Sequence, residues 1–173
     1  MVPYKRLDLA IRACHRAGRP LVVAGAGPAE AALRAVADEL GADVRFVIDP
    51  SDDTLRALYR AADVLLFPAE EDFGIVPVEA QACGTPVVAY GRGGVLDTVV
   101  PGRTGLLVPS QDEADLAAGI VRAADTAFDP AECRASAERF SRARFCDEFV
   151  DWVVSSAAAR DIGLDDPRTN EAA

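Results

Sequence analysis

The stretch "DVLLFPAEEDFGIVPVEAQACGTPVVAY", Asp63 to Tyr90, decides the fold. An apolar run, Asp63–Ala69, leads through acids and a glycine into a helix expected from about Ile75 to Cys83, and Pro86–Tyr90 then reads as a second strand. Both runs are almost continuously apolar, as in strands covered on both faces, and parallel strands need a crossover of this kind between them. Pro77 falls in the first helical turn, where its missing N–H has no helical partner anyway.

The same rhythm extends in both directions. "PLVVAGAG" (Pro20–Gly27), "VRFVID" (Val44–Asp49) and "TGLLVP" (Thr104–Pro109) read as strands. Helices are expected at about Arg6–Ala17, at Pro28–Gly41, at Ser51–Ala62 and near Glu113–Ala124. The alternation predicts an α/β domain with a doubly wound, Rossmann-like parallel sheet. One element is missing from the pattern. "MVPYKRLDLAIRACHRAG" runs from a loop-like opening straight into a helix, where such a domain would place its first strand. The last third reads as helical, with Phe145, Phe149, Trp152 and Val153 on one stripe whose simplest role is core packing. Residues 1–160 are taken as one domain and 161–173 as a disordered tail.

The chain has 173 residues, a single-domain length, and its formal charge is 18 − 28 = −10. Such a balance repels nucleic acid and anionic lipid. The four cysteines, Cys14, Cys83, Cys133 and Cys146, lie far apart without CxxC spacing and read as reduced thiols of a cytoplasmic protein; the single histidine, His15, argues against a zinc site. No apolar run approaches the roughly 18 residues of a membrane span.

Doubly wound sheets bind ligands beyond the carboxyl ends of their strands. Three segments fall there. In "AGAGP", Gly25 and Gly27 either let a phosphate approach a helix N-terminus or serve a tight turn. In the second, the N–H groups near Gly74, Ile75 and Val76 suit a diphosphate, and Glu79, one turn further on, suits the two hydroxyls of a ribose. Glu71 reaches a second polyol or a developing positive charge, unless Glu70, Glu71 and Asp72 only complement the helix dipole. In "GRGGVLDTVV", Gly93 and Gly94 again allow either close approach or a plain turn. "VIDPSDD" offers Asp49, Asp52 and Asp53 to a metal, but those acids more simply make a turn and cap a helix. The three-glycine dinucleotide fingerprint and the G-x-S-x-G of serine hydrolases are both lacking.

"EDFGIVPVE", with two glutamates separated by seven intervening residues, followed by "AQACGTPVVAYGRGG" and "TGLLVP" and preceded by "AGAGP", resembles retaining glycosyltransferases of the GT-B fold, family 4. The resemblance covers about residues 1–125 and leans toward bacterial enzymes that build polysaccharides from GDP-mannose. It implies the C-terminal, donor-binding half of a hexosyltransferase that retains anomeric configuration and needs no metal or cofactor. It implies further that Lys5 and Arg6 in "VPYKR" meet the diphosphate, with Gly25 and Gly27 nearby, and that Phe73, Gly74, Ile75 and Val76 bind sugar and diphosphate through their backbone. Glu71 would contact the donor sugar, Glu79 the ribose, and Glu71 and Lys5 would carry catalysis, while the base would lie near Ile48–Ser51. Two departures are an arginine that the family carries shortly before the lysine and Asp97 where a glutamate is usual. The partners implied are a nucleotide-sugar donor and a glycan or lipid-linked acceptor held by a separate N-terminal domain, with a cytoplasmic setting, peripheral to the membrane in the intact enzyme. The chain is expected not to transfer sugar alone, and its final helix, around Phe145–Ala158, is then expected to leave its aromatic stripe partly exposed. The alternatives are a non-catalytic nucleotide-sugar-binding subunit and a UDP-glucose-dependent transferase.

Overall fold

The computed structural model describes residues 1–158. A 3-10 turn at Pro3–Lys5 opens the chain, followed by α1 (Leu7–Ala17), β1 (Leu21–Ala24), α2 (Glu30–Leu40), β2 (Val44–Val47), α3 (Asp52–Ala61) and β3 (Leu65–Phe67). Then come α4 (Ile75–Ala82), β4 (Val87–Tyr90), α5 (Val95–Thr98), β5 (Gly105–Val108), α6 (Glu113–Ala124), α7 (Pro130–Glu138) and α8 (Arg142–Ala158). The strands and helices anticipated from the pattern all form, with ends trimmed by a few residues. The loop-like opening is a turn of 3-10 helix, and the single turn α5 inside "GRGGVLDTVV" is too short to leave a periodic signature.

All strand pairing is parallel. β3, β4 and β5 form one sheet, with Val87 opposite both Leu65 and Gly105. Gly105 is glycine because a Cβ there would overlap the Val87 carbonyl. β1 and β2 form a second sheet, Leu21 opposite Val44. The alternation of side chains along β4 sorts the core. Val88 joins Leu9, Ala13 and Cys14 of α1 and Leu116 and Ile120 of α6 on one face. Val87 and Ala89 join Phe67, Ala80, Val95 and Val99 on the other. A third cluster sets Ile11 of α1 against Val23, Leu33, Ala37 and Met1. Helix α1 therefore packs on both sheets, which nevertheless share no rung: the doubly wound sheet is split between β1 and β3.

The described residues fall into two compact units, Met1–Ala137 and the part from Glu138 onward. In the second, Phe145 stacks on Phe149 with ring centroids 5.8 Å apart, and Phe149 lies 6.0 Å from Trp152. These rings are 65%, 51% and 65% exposed, which answers the expectation of a partly exposed stripe and not that of core packing. The expected tail, 161–173, lies outside the described residues.

All four cysteines are free, Cys14 and Cys133 buried and Cys146 exposed. Burial pushes the Cys14 thiol up to about 11 from its ordinary 9.0. Above pH 9 the unfolded chain releases that proton while the folded chain keeps it, so folding stability falls as pH rises from 9 toward 11. Urea midpoints across that range will show the decline, and Cys14→Ala will make it shallower. Leu116 has no exposed surface. Leu116→Ala will lower unfolding free energy by about 2–5 kcal/mol with an unchanged denaturant slope.

Candidate functional site

The carboxyl ends of β3, β4 and β5 open on one side, and the acidic segment hangs between them. Glu71 forms a single parallel bridge with Gly93, and the Gly94 N–H donates to the Glu71 carbonyl at 2.7 Å. A Cβ at Gly93 would run into the backbone of Glu71, and one at Gly94 into that of Phe73 and Asp72. The two glycines are thus a backbone seat for the acidic loop, and that requirement alone explains them. Gly74 follows, buried and at φ +76, as the N-cap of α4. Its left-handed conformation turns the chain sharply into the helix, and no side chain caps that end.

Lys5 is brought in from far along the sequence. Its Nζ lies 2.8 Å from Glu71 Oε1, with the two side chains 32% and 18% exposed. Arg6, at φ +51, caps α1 and donates from Nη1 to Gln111 Oε1 at 3.2 Å and from Nε to Asp8 at 3.3 Å. Gln111 Nε2 in turn donates to the Pro68 carbonyl at 2.8 Å. Gln111 therefore ties the start of α1 to the carboxyl end of β3. Sequence reasoning missed it, since a lone glutamine in a loop carries no motif.

Glu79 stands on the second turn of α4, exposed, and its Oε2 accepts from the Tyr59 hydroxyl at 3.0 Å. Partial burial, and then the neighbouring Glu79 carboxylate, push that phenol well above its usual range. Tyr59 was also missed, for it reads as an ordinary apolar position of α3. Neither Glu71 nor Glu79 is paired with an arginine among the described contacts.

A cavity of about 1530 Å³ lies below this edge, and Lys5, Gly25, Val76 and Glu79 are among the residues lining it. Arg6, Glu71, Phe73, Gly74 and Ile75 do not line it; Phe73 and Ile75 are 45% and 60% exposed on the outer side of the loop. Gly27 is set apart: the Met1 backbone occupies the place of its missing side chain, so its glycine answers a packing need. Gly25, at φ +119, has open space around it. Ser51 accepts from the Thr54 N–H at 3.3 Å and Asp53 pairs with Arg56 at 3.1 Å, which are capping and surface roles. Among the described residues no three potential metal ligands converge, and no helix is long and apolar enough to cross a membrane.

Residues 1–140 match the family described as glycosyl transferases group 1. The chain belongs to this family. It is 42% identical over 127 residues to a D-inositol 3-phosphate glycosyltransferase of Mycobacteroides abscessus, an alignment covering 68% of this chain and 29% of that protein. It is 40% identical over 142 residues to D-inositol 3-phosphate glycosyltransferase 2 of Catenulispora acidiphila, covering 80% and 32%. The chain thus spans about a third or less of these relatives' length. Among solved structures it resembles a sucrose-phosphate synthase of Thermosynechococcus elongatus, with 35% identity, a TM-score of 0.67, and 79% and 36% of the two chains covered. It also resembles Anabaena Alr3699/HepE in complex with UDP-glucose, with 26% identity, a TM-score of 0.76, and 90% and 46% covered. The Rossmann-like fold is that of the C-terminal domain of GT-B glycosyltransferases. In this group 1 chain the seat of the acidic loop admits no side chain. Gly94→Ala is expected to lower stability by about 1–3 kcal/mol, and amide exchange will show lost protection at residue 94 and its neighbours.

Proposed function

We propose that this chain is the donor-binding half of a retaining glycosyltransferase that uses a nucleoside diphosphate hexose. The observation that carries this reading is the Lys5–Glu71 pair beside the uncapped start of α4. A diphosphate settles on the N–H groups of Gly74, Ile75 and Val76, where the positive end of the helix dipole and free donors coincide. Lys5, paired with Glu71 of the loop before that helix, neutralises the phosphate charge that grows as the glycosidic bond breaks, a task that a fixed cation performs without solvent reorganisation. Its partner Glu71 is then released toward the hydroxyls of the sugar and the positive charge developing at the anomeric carbon. The ribose diol falls to Glu79. Tyr59 holds one carboxylate oxygen and leaves the other, with its free lone pairs, for the ligand. With Lys5 and the helix start supplying the positive charge, the reaction in this proposal needs no metal.

For the donor we favour a uridine diphosphate hexose over GDP-mannose, since the HepE structure that this fold resembles was solved with UDP-glucose. The acceptor, a glycan, a lipid-linked sugar or a polyol phosphate, is assigned to a second domain, because the chain spans about a third or less of its curated relatives. Transfer is proposed to require that domain; without it the chain is a nucleotide-sugar-binding subunit.

Calorimetric titration with UDP, UDP-glucose, GDP and GDP-mannose tests the reading. UDP-glucose is expected to bind at least about tenfold more tightly than GDP-mannose, a difference of about 1.4 kcal/mol. Glu79→Ala should weaken UDP-glucose roughly 10- to 150-fold, the loss of one charge-assisted contact. Lys5→Ala should weaken UDP and UDP-glucose alike while sparing uridine. Unaltered affinity in Glu79→Ala, with an unaltered circular dichroism spectrum, removes that residue from the ribose site.

A further inference from the structure

Two neighbouring residues tie the start of α1 to the loops at the carboxyl ends of the strands. Lys5 reaches Glu71 at 2.8 Å. The next residue, Arg6, donates from Nη1 to Gln111 Oε1 at 3.2 Å, and Gln111 Nε2 donates to the Pro68 carbonyl at 2.8 Å. Pro68 follows the last residue of β3, is fully buried, and precedes Glu71 by three residues. Gln111 comes from the loop between β5 and α6, so its amide links the ends of two strands that are not neighbours in the sheet.

The chemistry of this link calls for an amide. A guanidinium only donates and a carbonyl only accepts, so the group between them has to accept on one side and donate on the other. A carboxylate at 111 would serve Arg6 but set a second acceptor against the Pro68 carbonyl, and an apolar side chain would serve neither. Arg6 carries an independent sign of restraint. It stands at φ +51, a left-handed conformation that is costly for a residue with a Cβ and persists where surrounding contacts over-determine it. Those contacts are Gln111 at Nη1 and Asp8 at Nε, 3.2 Å and 3.3 Å away. With its guanidinium engaged there, Arg6 does not line the cavity that Lys5 lines.

We propose that Gln111 is a positioning residue of the donor site: by holding Arg6 on one side and the Pro68 carbonyl on the other, it places Lys5 against Glu71, and Arg6 acts through it rather than on the diphosphate. A partly exposed ion pair does little to fix its own geometry, so its placement falls to what anchors the two segments. Both anchors are close, Arg6 adjoining Lys5 and Pro68 standing three residues from Glu71. The pair's role in transfer rests on the transferase reading; its placement by Gln111 does not.

Lys5 is the only lysine in the sequence, so a chain made with nitrogen-labelled lysine gives one side-chain ammonium signal by NMR. Glu71→Gln marks where that signal lies without the carboxylate. Gln111→Leu and Gln111→Glu are each expected to move it from the wild-type position toward that mark, with circular dichroism unchanged. A wild-type signal in either variant overturns the proposal. Calorimetric titration supplies the second arm. Gln111→Leu should weaken UDP about fivefold and leave uridine unchanged, and in a Lys5→Ala background it should change UDP by less than about twofold, since residues that act through one group do not add. Arg6→Ala should match Gln111→Leu and add nothing to it. Equal losses for UDP and uridine overturn the proposal, and so does an Arg6→Ala effect that persists in the Gln111→Leu background, which would put Arg6 on the phosphate itself. The ammonium signal needs no nucleotide, so a wild-type chain that binds neither UDP nor UDP-glucose defeats the transferase reading while the signal still decides what places Lys5.

Discussion

Parallel pairing through β4 is the constraint on which the rest of this structure depends. Val87, Val88 and Ala89 have no exposed surface, and each belongs to a cluster on one face or the other. Parallel strands end on the same side, so the loops after β3, β4 and β5 have to meet there. The meeting is close enough that backbone touches backbone: Glu71 bridges Gly93, and Gly94 admits no Cβ against Phe73. The acidic loop is held by main-chain contacts, and the side chain of Glu71 adds its pair with Lys5.

Electrostatics at this edge differ from those of the whole chain. A formal charge of −10 disfavours anionic ligands at long range. At the loop edge the proposed reaction draws instead on local positive charge, that of Lys5 and of the uncapped start of α4. The Lys5–Glu71 pair is partly exposed and contributes about 0–1 kcal/mol to folding. An interaction that weak exchanges readily for a charged ligand, which is what the proposed reaction asks of it. Tyr59 and Gln111 act differently. Each spends its hydrogen bonds on orienting a neighbour, Glu79 in one case and Arg6 together with the Pro68 carbonyl in the other.

The split sheet joins the fold to this site. Helix α1 carries apolar residues for both halves, and Lys5 and Arg6 stand just before it. Whatever holds the two halves in register therefore also positions the cations. Two open strand edges are an association hazard in any protein.

Much of this was legible along the chain. Apolar runs at β1 through β5, Pro77 in a first turn, and Gly41 after α2 each obey local rules, because strand burial, helix starts and helix ends are decided by near neighbours. The glutamates at 71 and 79 stood out by their spacing, and that spacing led to the family. What only the tertiary structure decided are contacts between distant residues: Lys5 with Glu71, Tyr59 with Glu79, Arg6 with Gln111, and the Met1 backbone in the space that makes Gly27 a glycine. It also decided that the rings of α8 lie open, because periodicity shows that a stripe exists and says nothing of what covers it. Local preference acts over one helical turn or one strand step, whereas these pairings depend on how whole elements pack, and no spacing along the chain encodes that.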